Sequence, residues 1–295
     1  MVAEKQYTID DILDDENLTL ETFYKVVSKA GNIVPFTLRP AQRILADNWH
    51  NRTLVIKPRQ MGISTYITAV FHVRTQYQNH ITSAVFAHET GITQRLLARA
   101  DVFYNNLPEQ LRMPMEGSSF NYKKFKNGSS MFIGTAGQQV GGRGDTINNL
   151  QLSEVSFWKE EHILNVLMPA VEGVPLYGTA MQESTPNGDS GYFYEEIQKA
   201  VKGSSIWKVV VLYWFYEPEY QIPIDSHLLD GKSYQGDFKY TADERYLVNK
   251  HGLSQEQIRW RRYKIDDLGD LFWQEYVESI ETCFLTSGAP YYDVA

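Results

Sequence analysis

The stretch LVIKPRQMGIST, residues 54–65, decides how the chain is read. It runs from a short apolar segment through a loop into Gly62 and a Ser-Thr pair that opens a helical pattern. A strand that ends in a curled loop and feeds a helix N-terminus aims several N–H groups and a partial positive charge at one point, where phosphate binds. The usual spacing for such a loop, G-x-x-x-x-G-K-[ST], puts lysine directly after the second glycine. Here that position holds Ile63, and Lys57 stands at the first glycine. Backbone does most of the cradling, so the lysine has only to deliver its ammonium to the phosphates. A four-carbon stem rooted at the strand end reaches back across the loop, and Lys57 is a credible substitute. An ordinary basic turn between strand and helix is the competing reading at this point.

The rest of the composition is that of a globular chain. Its 295 residues are 43% hydrophobic and 22% charged, with a net charge of −8, which argues against a wholesale nucleic-acid coat but leaves room for a local basic surface. The lone Cys283 rules out an internal disulfide and any zinc site built on cysteines, and fits a reducing interior. No apolar run reaches the roughly 18 residues of a membrane span, and the acidic start MVAEKQYTIDDILDDEN is not a signal peptide.

Strand-like and helix-like runs alternate. Residues 10–30 read as one or two acidic helices, and Pro40 suits the first turn of a helix in FTLRPAQRILADNW, residues 36–49. Strands are expected near 53–57, 83–87, 149–153, 176–184 and 206–214, with helices near 63–78, 90–106, 160–170 and 190–202. Asn127-Gly128 splits two alternating runs and marks a hairpin. This alternation implies a mostly parallel sheet covered on both faces. Beyond about residue 215 the pattern dissolves, then resumes as two helices around Gly252, a small subdomain.

Within the loop, Lys57, Pro58, Arg59, Gln60, Met61, Gly62, Ile63, Ser64 and Thr65 form the expected phosphate cradle. Ser64 sits where a hydroxyl binds Mg²⁺, and Arg59 is a second cation for a γ-phosphate. Four further features bear on it. In LRPAQ, residues 38–42, the amide of Gln42 matches the N6/N7 edge of adenine, with Arg39 beside it. In NNLQLSEVSFW, residues 148–158, a buried strand ends in Ser153-Glu154. Glu154 can polarise an attacking water, whereas Ser153 holds Mg²⁺ more weakly than a carboxylate. In GGRGD, residues 141–145, Arg143 has the setting of an arginine finger. In ESTPNG, residues 183–188, Ser184, Thr185 and Pro186 close the next strand with turn chemistry. Each of the four also has a plain structural reading: a helix-surface glutamine, a strand end, a loop arginine, a turn.

Together these segments resemble the large terminase subunit of tailed bacteriophages, the ATP-driven DNA-packaging motor. The resemblance covers roughly residues 36–290. RQMGIST is similar to that family's R-Q-x-G-[KY]-[ST] loop, a deviant form of which carries lysine at the loop's start. LSE occupies the Walker B position, where the family usually has Asp-Glu, so Ser153 departs from the pattern. RGD occupies the arginine-finger position, and STPNG that of the coupling motif linking hydrolysis to DNA movement. The resemblance implies an additional-strand, RecA-like P-loop NTPase: an α/β fold with an N-terminal helical extension over 1–35, an ATPase core over 36–214 and a lid and linker over 215–295. It implies ATP and Mg²⁺ as ligands, and double-stranded DNA, a portal protein and a small terminase subunit as partners. It further implies a ring on the portal, action in the host cytoplasm, and a nuclease domain that would follow the linker in a longer protein.

Two other readings stay open: a helicase-like nucleic-acid-dependent ATPase, and a degenerate P-loop module that binds without hydrolysis, favoured by Ile63 and Ser153. The aromatic stretches at 213–220 and 272–276 read as subdomain core. Lys123, Lys124, Lys126, Arg259, Arg261, Arg262 and Lys264 read as solvated faces, with DNA phosphates as the sharper alternative.

Overall fold

The computed structural model describes residues 7–137, 146–224, 226 and 238–284. One sheet organises them. Strands β3 (Arg52–Ile56), β4 (Thr82–Ala87), β5 (Met115–Ser119), β6 (Tyr122–Phe125), β7 (Ser130–Thr135), β8 (Asn149–Ser153), β9 (Thr179–Ser184) and β10 (Lys208–Val211) lie in the order β10-β3-β9-β8-β4-β7-β6-β5. From β10 to β7 every pairing is parallel, while β6 and β5 extend one edge as an antiparallel meander. The third strand from the β10 edge, β9, is inserted between the loop-bearing β3 and β8. That insertion is the additional strand expected from the sequence, and the chain is an α/β protein of that class.

Burial on both faces explains the strand sequences. RTLVI in β3 is wholly buried, as a central parallel strand must be. Side-chain alternation sends Val55, Met181 and Val210 to one face, against Ile63, Tyr66, Ile67 and Val70 of α4 (Ile63–Tyr77). It sends Leu54, Ile56, Leu150, Leu152 and Ala180 to the other face, against Phe193 and Ile197 of α8 (Tyr192–Val201). The polar strand NLQLS is buried throughout because its amides are satisfied. Asn149 accepts from Arg74 at 3.0 Å and donates to Ser83 at 3.1 Å, while Gln151 accepts from Thr68 at 2.7 Å and donates to the Ser64 carbonyl at 3.1 Å.

The N-terminal segment differs in part from the sequence reading. Two short helices, α1 (Ile9–Leu13) and α2 (Glu16–Phe23), are followed by a ribbon of β1 (Lys25–Val27) and β2 (Ile33–Pro35), where more helix was expected. Lys25-Val26-Val27 is apolar only in its β-branched pair, so it pairs with Ile33-Val34 rather than closing another helical turn. Leu20, Tyr24 and Phe36 tie this segment to the α4 face. The hairpin at Asn127-Gly128 forms between β6 and β7, with Gly128 at φ +77° and a Cβ there running into the His80 ring.

Helices α9 (Ala242–His251) and α10 (Gln255–Leu268) flank Gly252, which is left-handed at φ +69°. With Trp214, Tyr220 and Phe272 they form a separate aromatic cluster in which Trp260 stacks between Tyr220 at 4.5 Å and Trp214 at 4.9 Å. The segment then returns, through Val277 and Cys283, to the α8 face of the sheet. The arginines in this region correct the expectation of a solvated face. Arg259 is 1% and Arg261 7% exposed, Arg261 is paired with Glu278 at 2.7 Å, and Arg262 is paired with Glu244 at 2.6 Å. Lys123 and Lys124 are likewise paired, with Asp101 and Glu116. No helix among the described residues is long and apolar enough to cross a membrane.

Candidate nucleotide site at the strand ends

The carboxyl ends of β3, β9 and β8 meet at one point, and the polar groups sit on the α4 side of the sheet. Lys57 follows β3 directly, and its backbone N–H donates to the Ser184 carbonyl at 3.1 Å. Its ammonium lies 2.7 Å from Glu154 Oε1 and 3.2 Å from Glu183 Oε2. Burial alone would favour the neutral amine, but the two carboxylates outweigh it and hold Lys57 firmly charged. Glu154 is also desolvated, yet Lys57 keeps it below the usual carboxylate range. Glu183 is wholly buried; burial and the Glu154 charge raise its pKa against the pull of Lys57.

Glu154 has left-handed backbone, φ 57° and ψ 48°, a conformation that a glutamate adopts only when its surroundings impose it. What imposes it is visible on both sides. Its N–H donates to the Glu183 carbonyl at 2.7 Å, and its Oε2 accepts from Ser184 Oγ at 3.4 Å and from Thr185 N and Oγ1 at 3.4 and 3.3 Å. The coupling segment predicted from STPNG therefore grips the predicted water-activating carboxylate directly, and Pro186 behind it is buried.

Between β3 and α4 the loop is curled by two left-handed residues, Gln60 at φ 59° and Gly62 at φ 72°. The curl turns the loop toward the unpaired first-turn N–H groups of α4. Met61 and Ile63 are buried in the core at 1% exposure each, so position 63 packs rather than binds. Ser64 and Thr65 open α4. Gln42 is 4% exposed, on α3 (Pro40–Asp47); its Nε2 donates to the Gly62 carbonyl at 3.0 Å and its Oε1 accepts from Arg39 N at 2.9 Å. A cavity of about 1000 Å³ opens beside the loop, lined by Arg39, Gln42, Gln60, Gly62, Thr65 and Arg99 among others.

The structure thus brings Lys57, Glu154, Ser184 and Thr185 together, with Ser153 at the buried end of β8. It does not bring Arg59 to them. Arg59 is exposed and faces the C-terminal segment, where its Nε lies 3.3 Å from Glu275 and its carbonyl accepts from Tyr220 at 2.7 Å. Arg143 lies outside the described residues. Two residues escaped the sequence reading. Glu183 was legible as a charge at the end of the otherwise uncharged TAMQES; Arg99, on α5 (Thr90–Asn106), had no signal among many helix arginines. No group of three or more acidic, histidine or cysteine side chains that could hold a metal occurs among the described residues.

Neither a protein-family model nor a curated protein matches the sequence. Solved structures do match the fold. The large terminase of bacteriophage HK97 superposes with a TM-score of 0.55 at 15% identity, over 90% of this chain and 54% of that one. A point variant of the Thermus phage P74-26 large terminase ATPase domain gives 0.53 at 14% identity, over 85% of this chain and 98% of that domain. The chain has the fold of phage large-terminase ATPase domains. It spans about half the length of the HK97 protein, and nearly all of the P74-26 domain.

Proposed function

We propose that this chain is an ATPase of the terminase type, hydrolysing ATP with Mg²⁺ to move double-stranded DNA into a procapsid. The observation that carries the reading is the contact between Lys57 and Glu154 at the mouth of the curled loop. It joins the two residues whose roles were assigned independently, one as relocated loop cation and one as water activator.

The residues fit the chemistry. Lys57 is a compact charge able to bridge two phosphates, and it must leave Glu154 to do so, which frees that carboxylate to orient the attacking water. Ser184 and Thr185, already bonded to Glu154, would register its release in the strand that carries the coupling segment. Ser64 and Ser153 would hold Mg²⁺, which takes few protein ligands and fills its shell with water and phosphate oxygens, so a three-residue cluster is not required. When bound, Mg²⁺ neutralises charge on the β- and γ-phosphates. Arg59 would reach a γ-oxygen only by leaving Glu275, and Arg143 would act from a neighbouring subunit of a ring. A portal, a small terminase subunit and a host-cytoplasmic setting belong to the same reading.

The test is phosphate release. Wild-type protein should release phosphate from ATP, and Glu154→Ala should bind ATP while losing hydrolysis by about 10²-fold or more. Tight ATP binding by wild-type protein in Mg²⁺, with no release in an assembled ring supplied with DNA, would instead favour a binding module without catalysis.

A further inference from the structure

Ser153 leaves a gap in the site just described. A neutral hydroxyl stands where this kind of site needs a carboxylate for its metal, and nothing in LSE replaces it. The neighbouring strand does. Ser153 and Glu183 are directly paired residues of parallel strands β8 and β9, so their side chains leave the same face side by side. Both are wholly buried; Ser153 Oγ makes no well-formed hydrogen bond among the described residues, and it and the Ser64 hydroxyl lie close enough to the Glu183 carboxylate to pull its pKa down against the larger effect of burial. A buried hydroxyl left without a well-formed bond costs about 1–3 kcal/mol, which a ligand would recover.

Gln151 fixes where the carboxylate sits. Its Nε2 lies 3.1 Å from the Ser64 carbonyl and 3.4 Å from Glu183 Oε1, so one amide spans the first turn of α4 and the end of β9. Glu183 is therefore beside Ser64, the hydroxyl already assigned to the metal, and not merely beside Lys57. Its other oxygen faces the Lys57 ammonium at 3.2 Å, which the proposed mechanism moves away.

We propose that Glu183 is the carboxylate of the Mg²⁺ site, supplied from the inserted strand in place of the missing Walker B aspartate, with Ser64 and Ser153 completing the protein side. This rests on the nucleotide reading above. In the free protein Lys57 neutralises Glu183; with nucleotide bound, Lys57 goes to the phosphates and the divalent cation takes its place. One buried carboxylate thereby keeps a counter-charge in both states. It also explains how a chain can lack aspartate at 153 and keep the site.

The experiment measures Mn²⁺ as the metal probe by the free-ion electron paramagnetic resonance signal in the presence of ADP, and ADP affinity by calorimetry in EDTA. Glu183→Gln should weaken Mn²⁺ binding in the ADP complex at least tenfold and change metal-free ADP affinity less than threefold. Adding Ser153→Asp to that variant should restore most of the Mn²⁺ affinity, because it returns a carboxylate to the same spot from β8. Glu183→Asp, which keeps the charge opposite Lys57 and retracts it by one methylene, serves where the glutamine variant does not fold and should also weaken Mn²⁺. Unchanged Mn²⁺ affinity in a folded Glu183 variant would overturn this proposal and leave the nucleotide reading standing. Wild-type protein that binds no ADP, with or without metal, would overturn the nucleotide reading itself.

Discussion

Two clusters of buried charge cap opposite ends of the same three strands, and they are built to different rules. At the amino ends, Arg52 donates to the carbonyls of Asn51 and Gly178 at 2.9 Å, Val174 at 2.7 Å and Pro175 at 3.1 Å. Arg74 is similarly occupied by Glu16, Asn149 and Thr179, and packs over Trp49 at 5.3 Å. At the carboxyl ends, Lys57 is shared by two glutamates, Ser153 Oγ makes no well-formed hydrogen bond, and Glu154 is held in left-handed backbone. In the first cluster planar guanidinium groups are held in fixed multidentate contacts; the second is unsaturated and uses lysine, a mobile point charge. A cluster held in fixed contacts has little left to offer a ligand. The unsaturated one is stable enough to fold and incomplete enough to bind.

The sharpest break of this contrast is to remove the central cation from each end. Lys57→Ala should reduce ATP hydrolysis by about 10²–10³-fold, the effect of losing one charge-stabilising donor, while the protein stays folded, since Glu183 can take up a proton. Replacing Ile63 with lysine in that variant should not restore the rate, because the side chain at 63 packs into the core and not toward the loop mouth. Arg52→Ala should do the reverse: orphaned carbonyls should lower folding stability by about 3 kcal/mol, with little change in the ADP affinity of the folded protein. Thermal melts and calorimetry on the two variants decide it. Near-normal hydrolysis in Lys57→Ala would reduce the loop to a basic turn.

The same contrast explains what could be read from the sequence. Helices α4 and α5 were legible almost to the residue from their helical period, and the polar strand β8 from the alternation of Leu150 and Leu152 alone. That Lys57 and Glu154 each stand just past a strand end was legible, because each follows a run of strand-like residues. The link between Ser153 and Glu183 was not, since register between strands 30 residues apart in the sequence is a property of the sheet and leaves no local trace. The tail arginines misled for a related reason: a run such as IRWRRYKI shows charge density but not the acidic partners Glu244 and Glu278 that neutralise it.

Not every unpaired buried atom marks a ligand site, and His72 sharpens the rule. Its Nε2 is unpartnered too, but the ring lies among Tyr24, Phe103 and Tyr104, with Nδ1 in a 2.8 Å hydrogen bond to the Tyr24 hydroxyl. Burial, aided by Lys123, lowers its pKa from 6.5 to about 3. The unfolded chain therefore takes up a proton below pH 6.5 that the folded one refuses. Stability from this group is complete above that pH and is lost as pH falls toward the folded value. Between pH 7 and 5 the loss should be about 2 kcal/mol, and His72→Gln should remove that part of the pH dependence. Denaturant melts at the two pH values measure it. An equal slope in the variant would mean that the ring is protonated in the fold.

Gln42 is the intermediate case between the two clusters, and the smallest effect is expected from it. A carboxamide has two N–H donors and two acceptor lone pairs. Here one donor is used by the Gly62 carbonyl and one lone pair by Arg39 N–H. What remains is one donor and one acceptor on a cavity wall, the complement of adenine N7 and the N6 amino group. Guanine presents two acceptors on the same edge, N7 and O6, so the remaining lone pair of Gln42 would face an oxygen. Half-saturation thus gives the amide two jobs, holding the loop and reading the base. Gln42→Ala should cut the preference for ATP over GTP by about 1–2 kcal/mol, roughly 5- to 30-fold, measured as the ratio of the two dissociation constants. Loss of the Gly62 contact should weaken both nucleotides alike, so it cancels in that ratio. Equal binding of ATP and GTP by the unmutated protein would leave Gln42 as a loop anchor, held in fixed contacts like Arg52.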